Sequence, residues 1–185
     1  MELDFRRPPV YHFKKRLRRI STIKQISADL KVNECSRYEY KDAVLNQFYI
    51  LSMVALWQSH IEYTVKYYLE NMLKGEQNPR LLSVIEARNN KVISQFNTPS
   101  AEKINLVFKE LFNIPHVFKG LSSQGLNNKA TKAKLELILD CRHEIAHTAF
   151  CTSVVLTEEV RIDFKEFIIE LAENLELVLR EEFAR

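Results

Sequence analysis

The ten residues CRHEIAHTAF, Cys141 to Phe150, carry two overlapping chemistries. Arg142 and His147 make an R-x4-H pair suited to cutting RNA without a metal. Attack by the RNA 2′-hydroxyl needs a base for that proton and an acid for the departing 5′-oxygen. Imidazole can do either near neutral pH. A guanidinium can stabilise the charge that builds on the phosphorane oxygens. Read instead as H-E-x-x-H, the stretch offers His143 and His147 as zinc ligands on one helix face, with Glu144 as general base.

The zinc string fixes more residues but has the weaker context. A catalytic zinc needs a third protein ligand, and the longer pattern with a further Gly and His meets Phe150 and Ser153 instead. Glu158, Glu159, Glu166 and Glu170 are available downstream, yet they read as helix-start and surface charges. No sheet edge is expected to hold a peptide substrate. A zinc metalloprotease through His143, Glu144 and His147 is therefore the lesser reading, and neither a metal nor another cofactor is expected.

Arg142 lies on an apolar stripe. It follows Leu135, Ile138 and Leu139 by seven, four and three residues, and Ile145 and Ala146 extend the pattern. A guanidinium there needs an acidic partner or a seam where anions bind. Glu62 is the carboxylate available for the first alternative. With Gln58, it interrupts the stripe Leu51, Ala55, Val65, Leu69 on a long preceding helix. Two polar interruptions on two apolar faces suggest that they meet.

Six helical segments emerge from the periodicity. The first covers residues 11–31, with Phe13, Leu17, Ile20, Ile23 and Ile26 as its stripe. The longest runs from about Tyr38 to Lys74, with Trp57 as a core anchor and Gly75 as its stop. A shorter helix spans Pro79 to Arg88. Thr98 and Pro99 are expected to cap and open the fourth. A loop rich in Gly and Asn precedes the motif helix, which begins near Lys129. An irregular TAFCTSVVL follows, and Thr157 caps the last helix. With 3 Gly and 5 Pro in 185 residues and 46% apolar content, the expectation is one all-α domain, 1–185, with 1–10 flexible.

These helices resemble the HEPN superfamily of α-helical domains. RHEIAH is similar to that family's R-x4-6-H motif, and ALWQSHIEYTVKYYLENML resembles the Trp-bearing helix of its RiboL-PSP-HEPN branch. NTPSAEKINLVFKELFNI resembles the next helix of that branch, so the likeness covers most of residues 38–183. Two positions depart: Thr148 stands where a Gly often follows the motif His, and Gln58 where a Glu often follows the Trp.

The resemblance implies a HEPN-like bundle of about five to six helices acting as a metal-independent endoribonuclease. It implies RNA as substrate, with 2′,3′-cyclic phosphate and 5′-hydroxyl products. It also implies a homodimer whose motif helices meet at the two-fold, so that two Arg142/His147 pairs supply one composite site. His143 would help position phosphate, with Glu62 and Gln58 in support. A toxin or antiviral effector, held by an antitoxin or other regulatory protein, is the biological setting the family suggests. The alternative from another class is a HEPN-like module that binds RNA or protein without cleaving.

Charge is uneven. The first 30 residues hold eight basic residues against three acidic ones, within a chain of net charge +3. Arg16 and Arg19 there, and Lys129, Lys132 and Lys134 before the motif, are candidate contacts to RNA phosphates. The three cysteines, Cys35, Cys141 and Cys151, form no C-x-x-C pair. Together with the lack of an apolar leader or membrane span, they point to a reducing, cytoplasmic setting.

Overall fold

The structure is a computed structural model, and it describes residues 7–119 and 121–184. Its helices are α1 (Pro9–Ile20), α2 (Thr22–Val32), α3 (Tyr38–Met72), α4 (Pro79–Ser94), α5 (Ala101–Phe112), α6 (Asn128–Thr148) and α7 (Glu158–Phe183). Among the described residues there is no strand, only an isolated bridge between Ser123 and Leu126. The fold is all-α, as the periodicity implies. No described helix is long and apolar enough to cross a membrane.

Three boundaries differ from expectation. The first segment is broken at Ser21 into α1 and α2. Ser21 keeps helical dihedrals (φ −63°, ψ −17°), which is why periodicity runs through the break unaltered. Ile26 beyond it is 44% exposed rather than buried. Helix α4 continues six residues past Arg88, to Ser94. The cap of α5 is Ser100, whose hydroxyl accepts from the Lys103 amide; Thr98 and Pro99 lie outside the helix. Of the segment 1–10 expected to be flexible, residues 1–6 lie outside the described residues, and α1 is already formed at Pro9.

Helix α3 is the spine. Its 35 residues span roughly 52 Å at 1.5 Å per residue. Trp57, Ile50, Met53, Ile61 and Val65 are buried in one continuous cluster with Phe13 and Leu17 of α1, Leu135 and Ile138 of α6, and Phe164, Phe167 and Leu171 of α7. Helix α1 packs on the side of α3 that carries Ser59, His60 and Tyr63. Helix α6 and the loop after it meet the side that carries Gln47, Leu51 and Val54. At about 100° per residue these two sets fall on opposite sides of the helix.

His60 is buried in this spine, stacked on Phe13 (4.7 Å between centroids) and near Trp57 (5.6 Å), and its Nδ1 has no hydrogen-bond partner among the described residues. Burial, with a smaller push from the Arg16 charge, lowers its pKa to about 3. The unfolded chain binds a proton here below its ordinary value of 6.5, while the folded chain does not until about 3. Stability from this residue is therefore full above 6.5 and lost as pH falls through that window. Urea unfolding of His60→Leu should show a pH 7 to pH 5 drop smaller than the parent's by about 2 kcal/mol. An unchanged drop would place the titration elsewhere.

Candidate active site

Helix α6 carries the whole motif, and several local devices fix its end. The Asn127 side chain caps its start by accepting from the Ala130 amide. At its close, Ala149 turns left-handed (φ 63°) and its amide bonds the Ile145 carbonyl. The Thr148 hydroxyl lies within hydrogen-bond reach of the carbonyls of Glu144 (2.8 Å) and Phe150 (2.7 Å) and donates its one proton to either. Beyond the turn, Glu144 Oε2 accepts from the amides of Thr152 (2.6 Å) and Ser153 (3.1 Å) and from the Thr152 hydroxyl. Those donors hold the Glu144 carboxyl well below the usual range, at about 2. The carboxylate clamps residues 150–153 against the motif helix.

That clamp bears on the zinc reading. The general base it requires is committed to two backbone amides. Among the described residues, no three His, Cys, Asp or Glu side chains group as metal ligands. Cys141 and Cys151 are buried, free, and share the Ser153 hydroxyl at 3.9 and 3.5 Å. Burial pushes the Cys141 thiol up to about 12, so it packs as a neutral group.

His143 and His147 are exposed one turn apart, with ring centroids 4.4 Å apart. Arg142 is half-buried on the neighbouring face, in a groove of about 270 Å³. Val54 of α3, Asn97, Thr98 and Pro99 form one wall of that groove, and Glu136, Leu139, Asp140 and His143 of α6 the other. Two carboxylates share the groove, yet neither forms an ion pair with Arg142. The Glu136 carboxyl is pushed up by burial and by the negative charges of Glu102 and Asp140. A half-buried guanidinium without a carboxylate is a ready anion site.

Glu62 and Gln58 do not meet Arg142. Gln58 Nε2 donates to Glu62 Oε1 (3.0 Å) and to the Phe96 carbonyl (3.1 Å). One residue earlier, Trp57 Nε1 donates to the Pro99 carbonyl (3.1 Å). Adjacent residues of α3 thus hold the segment 96–99 that walls the Arg142 groove. The sequence places polar groups on the right helix but assigns them the wrong partner. An i, i+4 neighbour outcompetes a residue across the seam. Asn97, Glu136 and Asp140 escaped the sequence reading, which took Thr98 and Pro99 only as the opening of a helix; no local pattern marks any of the five as groove residues.

The basic candidates divide. Lys134 is internal: it binds Asp163 (2.7 Å) and Gln124 (2.5 Å) and lies over the Phe167 ring, tying α6 to α7. Arg16 is half-buried and donates to Ser59 Oγ (2.9 Å). Lys129 and Arg19 are exposed and Lys132 half-exposed. None of these five lines the Arg142 groove.

Next to that groove along the α3–α6 seam lies an apolar one of about 580 Å³. Tyr40, Val44, Phe48 and Leu51 of α3 line it with Ile145, Ala146, Ala149 and Phe150. Tyr40, Phe48 and Phe150 are 66%, 56% and 48% exposed, more aromatic surface than a solvated face ordinarily shows.

A family model described as RiboL-PSP-HEPN matches residues 11–181. No curated protein and no solved structure matches the chain.

Proposed function

The chain belongs to the RiboL-PSP-HEPN family, and from that premise we propose that it is a metal-independent endoribonuclease working through Arg142 and His147. The family supports a nuclease or RNA-binding role in general. The observation that carries the finer reading is the half-buried Arg142, without an ion-pair partner among the described residues, next to the exposed His143/His147 pair. Arg142 would hold the scissile phosphate and stabilise its transition-state charge. His147 would act as acid or base, with His143 steadying the phosphate.

Arg142 and His147 differ in direction by about 140° on α6. One chain therefore does not aim both at one phosphate, and a second pair across a two-fold axis supplies the missing acid or base. The exposed Tyr40, Phe48 and Phe150 beside the motif give such a dimer an apolar face to bury. A toxin or antiviral role under the control of an antitoxin-like regulator belongs to the same reading.

The test is incubation of purified protein with structured and unstructured RNA, with and without EDTA. The expected result is cleavage that survives EDTA and leaves 2′,3′-cyclic phosphate ends. Cleavage that EDTA abolishes would refute the metal-free mechanism. RNA binding without cleavage under every condition would move the assignment to a non-catalytic module.

A further inference from the structure

Helix α1 splits its cations between two faces. The inward ones are engaged: Lys14 pairs with Glu173 of α7, and Arg16 donates to Ser59 of α3. Lys15 and Arg18 are exposed, and among the described residues they pair with no carboxylate. Arg7, just ahead of the helix, lies over the ring of Tyr11, 5.3 Å from its centroid, and Tyr11 itself is 46% exposed. At about 100° per residue, Tyr11, Lys15 and Arg18 fall within roughly 60° of one another. They make one outward stripe, with exposed Arg19 at its border. No Asp or Glu occurs from Arg7 to Ala28 to neutralise it.

The stripe is not an extension of the motif site. Helix α1 packs on the Ser59/His60/Tyr63 side of α3, while the Arg142 groove opens on its Val54 side. We propose that the exposed face of α1 is a second RNA-docking surface, which grips the phosphate backbone of single-stranded substrate through Arg7, Lys15 and Arg18, with Tyr11 as a ring for a base. The choice of RNA as the polyanion rests on the ribonuclease reading above.

Two features favour RNA over an acidic protein. The stripe has no exposed aliphatic residue to act as a buried anchor, and protein interfaces deplete Lys at their cores. Nucleic-acid interfaces are by contrast polar and strongly positive, and an aromatic ring among cations is their usual stacking platform. Because the stripe and the motif lie on opposite sides of α3, only an RNA long enough to pass around the bundle touches both. The surface therefore acts on long substrates and not on short ones.

The experiment uses the full chain carrying His147→Ala, so that RNA survives, and a labelled single-stranded RNA of about 30 nucleotides. Lys15→Gln/Arg18→Gln in that background should weaken binding about tenfold and flatten the slope of log K against log salt by about 1.4 for two lost phosphate contacts. Lys91→Gln/Lys109→Gln, equal in charge and exposed on α4 and α5, should leave the slope unchanged. With His147 restored, the α1 variant should cut an oligonucleotide of about 6 nucleotides at the parent rate and the long RNA more slowly.

Equal losses in the Lys91/Lys109 control, or an unchanged slope in the α1 variant, would overturn the proposal. So would tighter binding of polyglutamate than of RNA at matched salt, which would assign the face to an acidic protein. If the parent cuts no RNA but the α1 variant still loses binding, the catalytic reading fails and this surface stands.

Discussion

Replacing His147 by alanine is expected to lower RNA cleavage by about two to four orders of magnitude while leaving thermal unfolding unchanged. The side chain is exposed and lies against the neighbouring ring of His143, so its loss opens no cavity. Arg142→Lys keeps the charge but loses the planar fork that holds two phosphate oxygens, and a fall of about a hundredfold is expected. Subunit mixing then reads the composite site. If one site needs His147 from both protomers, activity falls as the square of the parent fraction when parent and His147→Ala chains exchange. A linear fall would mean that each chain works alone and would remove the dimer from the mechanism. Retention of most activity in His147→Ala would remove the site itself.

The second large effect concerns Trp57, which touches no part of the proposed chemistry. Trp57→Ala should destabilise the chain by about 3–5 kcal/mol, because a fully buried indole in the spine leaves a cavity bordered by Phe13 and His60. Trp57→Phe is the more informative change. It keeps an aromatic ring but removes the donor to the Pro99 carbonyl, for a cost of about 1–3 kcal/mol. Pro99 walls the Arg142 groove, so cleavage at a temperature where the variant is fully folded should also fall. Unfolding in urea measures the first effect and initial rates the second. A destabilised variant with the parent's rate would show that residues 96–99 do not position Arg142.

The contrast between Trp57 and Gln58 marks where sequence reading works here and where it stops. Helix existence, the burial of Trp57 and the capping role of Thr157 follow from local rules of periodicity and hydrogen bonding, and all three hold. The motif residues also stand out, because a guanidinium on an apolar stripe is a local contradiction. What they touch is a matter of distances across the bundle. Glu62 is a plausible partner for Arg142 on pattern alone, yet Gln58 takes it from one turn away. Arg16 and Lys134 look like any surface cation in the sequence; Ser59, Asp163 and Gln124 bring them inward from other helices. The break at Ser21 is silent because the residue keeps helical dihedrals.

The two-sided loading of α3 has a thermodynamic corollary. Exposed Lys15 of α1 and half-buried Arg142 of α6 share no side-chain partner among the described residues, so the effects of replacing them on folding should add. If separate RNA molecules occupy the two sides, each substitution weakens only the binding at its own side. One strand bridging both makes the losses from Lys15→Gln and Arg142→Lys sum in a double-mutant cycle. A long RNA that feels both substitutions in sum therefore reports that its path runs around the spine.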